Sequence, residues 1–161
     1  DLIDTGLESA TGGRLRKLEP YLNDRFLMTY GDGLSDVDLD SLISLHNRSD
    51  SFATVTAVQP PARFGALEIE GDKVKSFREK SKSDVSWING GFFVLEKKVL
   101  EFIPNNETPF EDEPLQELAK QGALSAYRHN GFWQPMDTLR DKIHLEEIWK
   151  SGNAPWIRAQ N

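Results

Sequence analysis

Short apolar runs and helically spaced apolar residues alternate along this chain. Residues 26–30 and 53–58 are apolar-rich runs of strand length, each closely followed by glycine or proline, which predicts two buried strands. Between them, Leu39, Leu42 and Ile43 recur at helical spacing, which predicts an amphipathic helix. A strand, a helix and a strand joined by short connections form a βαβ unit, and such units are nearly always right-handed and parallel. The pattern therefore predicts an α/β fold.

The rest of the chain adds a hairpin and further alternation. Residues 64–80 alternate around a Glu-Gly-Asp-Lys turn, which predicts a half-exposed hairpin inserted on the sheet. Further predicted elements are strands at 87–95 and 123–129 and helices at 97–102, 111–121 and 139–149. We expect one three-layer α/β domain over 1–161 with a mostly parallel sheet, the hairpin insertion at 64–80 and a tail at 153–161.

Composition limits the class of protein and its partners. The 161 residues are 38% apolar, which suits the core of one ordinary domain. The chain has no cysteine, so disulfides and thiolate metal sites are excluded. It has no apolar run of roughly 18 residues and no signal-peptide pattern at residue 1, which predicts a cytoplasmic protein without a membrane partner. The formal net charge of -7 disfavours binding to nucleic acid, but a metal ion and local basic residues could still favour a small anionic ligand.

Two aspartates follow apolar runs and are candidate metal ligands. Asp32 lies in Tyr-Gly-Asp-Gly, directly after the run 26–30, and Asp137 lies in Trp-Gln-Pro-Met-Asp-Thr. Mg²⁺ binds through one or two carboxylates together with substrate phosphates, so this pair suits an enzyme that acts on phosphates. The alternatives are a turn role for Asp32, since Asp and Gly favour turns, and capping of the helix from residue 139 for Asp137.

A second acidic motif, Asp36-Val37-Asp38, has two interpretations. It matches the Asp-x-Asp metal motif of many glycosyltransferases, but it also directly precedes an amphipathic helix, which favours capping. The three histidines, at 46, 129 and 144, have no serine or aspartate at a spacing that indicates a catalytic triad. The sequence therefore gives no support for a hydrolase that uses a nucleophilic serine.

Several strings, taken together and in order, identify a family resemblance. They are Thr-Gly-Gly-Arg at 11–14, Tyr-Gly-Asp-Gly at 30–33, Val-Gln-Pro-Pro-Ala-Arg-Phe-Gly at 58–65, Glu-Lys at 79–80, Trp-Ile-Asn-Gly-Gly-Phe-Phe at 87–93 and Trp-Gln-Pro-Met-Asp-Thr-Leu-Arg-Asp-Lys at 133–142. Over nearly the whole chain they resemble the glucose-1-phosphate cytidylyltransferases, or CDP-glucose pyrophosphorylases, of the sugar nucleotidyltransferase superfamily. The resemblance implies a Rossmann-like nucleotide-diphospho-sugar transferase fold with its site at the carboxyl ends of the strands.

The resemblance also implies a reaction and roles for residues. CTP and glucose 1-phosphate would give CDP-glucose and pyrophosphate by in-line attack of the sugar phosphate on the α-phosphate, for bacterial O-antigen and lipopolysaccharide sugars. Asp32 and Asp137 would hold Mg²⁺, and Lys80 would contact the sugar phosphate. The substrate-binding positions are Gly12, Gly13 and Arg14 for the nucleotide, Glu79 and Asn89 for the glucose hydroxyls, and Gly65 and Gly90. Gly90 and Gly91 allow close approach of the sugar or, alternatively, serve only a bulge. Arg14 could equally lie on an exposed helix face.

One departure from the family concerns the start of the chain. The family opens with a strand and a glycine-rich loop that cradle the triphosphate, and no such segment is found here, so we expect an N-terminally incomplete chain with little or no turnover. A homo-oligomer is compatible with the sequence. The alternatives are a metal-dependent glycosyltransferase that uses Asp36 and Asp38, and a non-catalytic module that binds sugar nucleotides.

Overall fold

The computed structural model describes residues 1–60, 66–78 and 86–157. The helices are α1 (Thr11–Lys17), α2 (Leu39–Arg48), α3 (Glu113–Lys120) and α4 (Leu139–Lys150), with 3₁₀ helices at Glu19–Tyr21 and Lys97–Phe102. The strands are β1 (Arg25–Thr29), β2 (Gly33–Ser35), β3 (Ala53–Val58), β4 (Ala66–Glu70), β5 (Lys73–Arg78), β6 (Ile88–Glu96), β7 (Leu124–Arg128) and β8 (Trp133–Pro135).

The main sheet has four strands in the order β1-β6-β3-β7. Strand β1 pairs antiparallel with β6, in a register that places Arg25 opposite Glu96 and Thr29 opposite Phe92. The predicted α/β class is confirmed, but the sheet is mixed and not mostly parallel, and β6 runs antiparallel to β1. Strands β1 and β3 are therefore not neighbours, since β6, which is distant in sequence, lies between them.

One local prediction is wrong. Strand β1 was expected to be buried, but it lies at one edge of the four-stranded sheet, and its exposed residues alternate with half-buried ones. Leu27 on this strand is 51% exposed. The predicted helix at 97–102 is confirmed, and it is a 3₁₀ helix, a form that is common in short connecting segments.

Two smaller antiparallel sheets complete the strands of the described residues. Strands β4 and β5 pair as a hairpin with a register irregularity between Glu68 and Ile69. Strands β2 and β8 pair over three residues each, from Gly33 opposite Pro135 to Ser35 opposite Trp133. We call this second pair the β2–β8 ribbon. The expectation of one domain, with an insertion at 64–80 and a tail at 153–161, stays a prediction.

Contacts between residues divide the chain into two compact units. The first comprises Asp1–Gly31, Asp38–Thr56 and Gly91–Tyr127. The second comprises Asp32–Val37, Ala57–Gly90 and Arg128–Asn161, so it contains the β2–β8 ribbon, the β4–β5 hairpin and α4. Among the described residues, no helix is long and apolar enough to cross a membrane.

The first unit contains an aromatic and aliphatic core. Phe93 and Phe110 are almost fully buried, and their rings meet edge to face with centroids 6.0 Å apart. Tyr30 packs against Phe93 at 5.9 Å, while its hydroxyl donates to Glu111 at 2.7 Å. The aromatic rings thus gain contact area, and the polar tip of Tyr30 keeps a partner.

A buried histidine links the helix α2 to the main sheet. His46 is 2% exposed; its Nδ1 lies 2.8 Å from the Thr54 hydroxyl and its Nε2 lies 3.0 Å from Glu96 Oε1. Arg25 also donates to Glu96, at 2.6 Å. Burial raises the pKa of Glu96, but hydrogen bonds and charge from His46 and Arg25 outweigh it, so the pKa lies below its ordinary value. This network fixes the end of α2 against β1, β3 and β6.

The start of α2 decides between the two interpretations of the Asp-x-Asp motif. Asp38 is the N-cap, and its carboxylate accepts from the backbone N–H groups of Asp40 and Ser41 at 3.1 and 3.2 Å. The capping prediction is therefore confirmed.

Candidate functional site

The two aspartates lie at the same end of the β2–β8 ribbon. Asp32 directly precedes β2, and Asp137 follows β8 after one residue. The backbone N–H of Met136 donates to the carbonyl of Asp32 at 2.8 Å, which extends the ribbon pairing to this end. Both aspartates are exposed. The fold therefore brings two carboxylate-bearing segments, more than 100 positions apart in sequence, into direct contact.

This pair fits a cation that phosphates help to hold. In the described part of the chain, no group of three or more His, Cys, Asp or Glu side chains is placed to form a metal cage. Mg²⁺ commonly takes only one or two carboxylates from a protein and completes its shell with water and phosphate oxygens. Two exposed carboxylates on one ribbon end supply hard oxygen ligands of this kind.

The first turn of α4 shows that Asp137 does not cap this helix, which was the alternative to metal binding. Thr138, not Asp137, is the N-cap: its side chain accepts from the N–H of Asp141, and Asp141 accepts in return from the N–H of Thr138. This reciprocal pair is a capping box. The carboxylate of Asp137 is therefore not needed for the helix start.

Asn89 and Gly90, which the resemblance assigns to the sugar, are the second and third residues of strand β6. The carbonyl of Gly90 accepts from the indole N–H of Trp133 at 2.8 Å, so a side chain of the ribbon fixes this strand end. Gly33 in β2 also faces this contact, since a Cβ there would lie 4.0 Å from both the Gly90 carbonyl and the Trp133 nitrogen.

Gly91 has a conformational reason to be glycine. Its φ is +79°, and a Cβ would lie 2.7 Å from the ring of Tyr30. The N–H of Tyr30 also donates to the Gly91 carbonyl at 2.9 Å. A side chain at this position would therefore be strained and would displace the tyrosine.

Gly12 and Gly13 are buried in α1 and pack against backbone. A Cβ on Gly12 would lie 2.6 Å from the Thr108 carbonyl oxygen, and one on Gly13 would lie 2.0 Å from the Asn106 carbonyl oxygen. Arg14 donates to the Thr5 hydroxyl at 2.7 Å. These contacts give all three residues a structural role, and their part in nucleotide binding stays a prediction. Gly65, Glu79 and Lys80 lie outside the described residues.

The opposite end of the β2–β8 ribbon is held by Asp36. Its Oδ1 accepts from the N–H of Phe132 at 2.7 Å and lies 3.0 Å from Nε2 of His129. The same nitrogen lies 3.1 Å from the Phe132 carbonyl, which can only accept, so Nε2 carries the proton. Asp36 therefore fixes the loop that contains His129 and Phe132. A cavity of about 440 Å³ adjoins this end of the ribbon and is lined in part by Gln59, Trp133 and His144.

Sequence reasoning missed the residues that hold the site together. Trp133, Gln134 and Asp141 act through hydrogen bonds to backbone or to one another, which the motifs do not reveal. The spacing Thr138-x-x-Asp141 was the one available signal, because a threonine followed three residues later by an acid indicates a capping box.

Comparison with known proteins gives this geometry a family context. The family model described as nucleotidyl transferase matches residues 13–146, and such enzymes generally use a divalent metal ion. Glucose-1-phosphate cytidylyltransferase from Salmonella typhi is 54% identical over 157 residues, covering 96% of this chain and 61% of that protein. A Bacillus subtilis protein named "Probable glucose-1-phosphate cytidylyltransferase" is 44% identical over 156 residues, again covering 96% of this chain and 61% of that protein.

A solved structure supports the fold independently. HddC from Yersinia pseudotuberculosis superposes with a TM-score of 0.63 at 24% identity, covering 87% of this chain and 62% of that one. The chain spans about three fifths of the length of the curated relatives it matches. The family match covers most of the sequence and includes both aspartates. This chain belongs to the nucleotidyl transferase family.

Proposed function

We propose that this chain provides the metal and sugar-nucleotide site of a glucose-1-phosphate cytidylyltransferase, an enzyme that converts CTP and glucose 1-phosphate into CDP-glucose and pyrophosphate. The observation that carries the proposal is the shared position of Asp32 and Asp137 at one end of the β2–β8 ribbon, tied by the Met136 to Asp32 hydrogen bond. The 54% identity to the Salmonella typhi enzyme supports the choice of cytidine and glucose. A cytoplasmic location is part of the proposal.

The reaction requires the protein to position the two substrates and to neutralise the charge of their phosphates. The attacking sugar phosphate and the α-phosphate of CTP both carry negative charge, and the chain itself has a formal net charge of -7. Phosphoryl and nucleotidyl transfer need that repulsion removed where the two phosphates meet. Asp32 and Asp137 would hold Mg²⁺, which when bound supplies this neutralisation.

The neighbouring residues would orient the sugar. Asn89 has an amide that can both donate to and accept from hydroxyls. It is the second residue of β6, and the carbonyl of the next residue, Gly90, accepts from Trp133. A sugar-binding group on an anchored strand end loses little conformational entropy when the ligand binds. Asn89 would thus recognise glucose hydroxyls while the aspartates serve the phosphates.

The glycosyltransferase alternative is not favoured. Asp38 is used as the N-cap of α2, and Asp36 accepts from the backbone of Phe132. Each carboxylate of the Asp-x-Asp motif therefore has a structural role that explains its presence.

The test compares nucleotide sugars by isothermal titration calorimetry in the presence of Mg²⁺. We expect CDP-glucose to bind more tightly than UDP-glucose or GDP-mannose. We also expect Asn89→Ala to weaken CDP-glucose while leaving the affinity for CDP unchanged, because CDP lacks the sugar. Equal affinity for all three nucleotide sugars would contradict the cytidine assignment, and an equal loss for CDP and CDP-glucose would contradict the sugar role of Asn89.

A further inference from the structure

A buried acid, Asp141, is hydrogen-bonded to residues on both sides of Asp137 in the sequence. Asp141 is 7% exposed, although it is an aspartate at the start of a helix. Its Oδ2 accepts from the backbone N–H of Thr138 at 3.0 Å and from the Thr138 hydroxyl at 2.7 Å. Its Oδ1 accepts from the side-chain amide of Gln134 at 3.0 Å. Burying a carboxylate is costly unless it is well paired, so these bonds constrain its position tightly.

The Gln134 amide extends this network to the other side of Asp137. Its Nε2 donates to Asp141 Oδ1 at 3.0 Å and to the carbonyl of Pro135 at 3.1 Å, which uses both of its hydrogens. The N–H of Met136 is bound to the Asp32 carbonyl. Backbone groups of Pro135, Met136 and Thr138 are thus all fixed, and Asp137 lies between them.

A capping box alone does not require this arrangement. The box consists of the reciprocal bonds between Thr138 and Asp141 and would start the helix without Gln134. The Gln134 amide adds a bond from the strand β8 to the same carboxylate, so Asp141 joins the end of the ribbon to the start of α4. Asp141 is bonded to both Gln134 and Thr138, and the only residues between those two are Pro135, Met136 and Asp137.

We propose that Asp141 is a positioning residue for Asp137, which sets the geometry with which that carboxylate meets a divalent cation. The inference rests on the proposed function, because it takes Asp137 as a metal ligand. Loss of a residue that orients a metal ligand typically lowers metal affinity by about 10- to 100-fold. We expect the loss of Asp141 to lie at the lower end, about tenfold, because the Met136 to Asp32 bond remains.

The test replaces Asp141 by asparagine and measures Mn²⁺ binding in the presence of CDP-glucose by electron paramagnetic resonance of the free ion, after subtraction of the Mn²⁺ that CDP-glucose binds alone. Mn²⁺ prefers the same oxygen ligands as Mg²⁺. In Asp141→Asn an amide nitrogen can accept no bond, so either Gln134 or Thr138 loses its acceptor. If Gln134 turns its amide to compensate, its bond to the Pro135 carbonyl is lost instead.

Asp38→Ala is the matched control. Asp38 also accepts backbone bonds at the first turn of a helix, α2, so its loss should lower the melting temperature as a lost cap does. We expect Asp38→Ala to leave Mn²⁺ affinity unchanged, whereas Asp141→Asn weakens it about tenfold. Gln134→Met is the second variant; it keeps the cap and the side-chain length, removes both amide bonds and should weaken Mn²⁺ several-fold.

The outcomes separate this inference from the proposed function. If wild type binds Mn²⁺ through Asp137, as judged by Asp137→Asn, and Asp141→Asn binds it equally well, the positioning role is refuted while the metal site stands. If wild type with CDP-glucose binds no Mn²⁺ beyond that bound by CDP-glucose alone, or Asp137→Asn has no effect, both the metal site and the positioning role are refuted. Should Asp141→Asn fail to fold, unchanged affinity in Gln134→Met would refute the role.

Discussion

Replacing Gly13 by alanine separates packing from nucleotide contact at the Gly-Gly pair of α1. Gly13 is buried, and an added Cβ would lie 2.0 Å from the carbonyl oxygen of Asn106 and 2.6 Å from its carbonyl carbon. Ordinary contact begins at 3.4 Å. Because the obstructing atoms are backbone, they cannot rotate away as a side chain could. Either α1 or the segment around Asn106 must move.

The expected cost follows from three contributions. Overpacking costs about 1–3 kcal/mol. The movement also strains the bonds from the Ala10 N–H to Asn106 and from the Gly12 N–H to Thr108, now 2.9 and 3.1 Å long, and each such bond contributes about 1 kcal/mol. Alanine regains about 1 kcal/mol of helix propensity over glycine. The net loss should be about 2–3 kcal/mol, or about 5–10 °C in melting temperature for a chain of this size.

The assay is urea unfolding followed by circular dichroism. Gly31→Ala is the control, since nothing lies within 4 Å of a Cβ there, and it should change the free energy of unfolding by less than about 0.5 kcal/mol. Stability of Gly13→Ala equal to that of wild type would refute the packing argument. If Gly13→Ala lost affinity for CDP-glucose without losing stability, the role of Gly13 would be in nucleotide binding and not in packing.

Two further variants test interactions of other regions. Glu96→Gln should flatten the dependence of stability on pH: the lowered pKa of Glu96 means that its contribution is present above its ordinary pKa of 4.5 and is lost as pH falls through the folded value. Urea midpoints at pH 7 and pH 4 measure this, and an unchanged pH dependence in the variant would contradict it. Trp133→Phe keeps an aromatic ring but leaves the Gly90 carbonyl without its indole donor, so thermal unfolding should show a loss of about 1–2 kcal/mol. A loss below about 0.5 kcal/mol would show that water replaces the donor.

Local signals in the sequence were sufficient for most elements of the fold. The apolar run at 53–58 matches β3, and the acid before α2 caps that helix as predicted. The insertion of β6 between β1 and β3 was not predictable, because strand order depends on pairing between segments far apart in sequence. For the same reason, the exposure of Leu27 on an edge strand could not be derived from an apolar run.

The residue types of the candidate site were predictable from the sequence, but the strand pairing and hydrogen bonds that position these residues were not. Asp32 and Asp137 are candidates because each follows a short apolar segment, but the family resemblance is what favours metal binding over a turn or capping role for them. Their contact depends on the pairing of β2 with β8, and those strands are only three residues long, too short to give a periodic signal. The buried state of Asp141 was equally hidden, because an aspartate at the start of a helix is normally exposed.

The central claim is that Asp32 and Asp137 jointly hold one divalent cation against the phosphates of a sugar nucleotide. The direct measurement is the affinity for CDP-glucose by calorimetry, with and without Mg²⁺, for wild type, Asp32→Asn, Asp137→Asn and the double variant. We predict that Mg²⁺ tightens binding in wild type, that either single variant loses most of this gain, and that the double variant loses little more, because both carboxylates serve one ion. Full Mg²⁺ dependence in either single variant, or additive losses in the double variant, would contradict the claim.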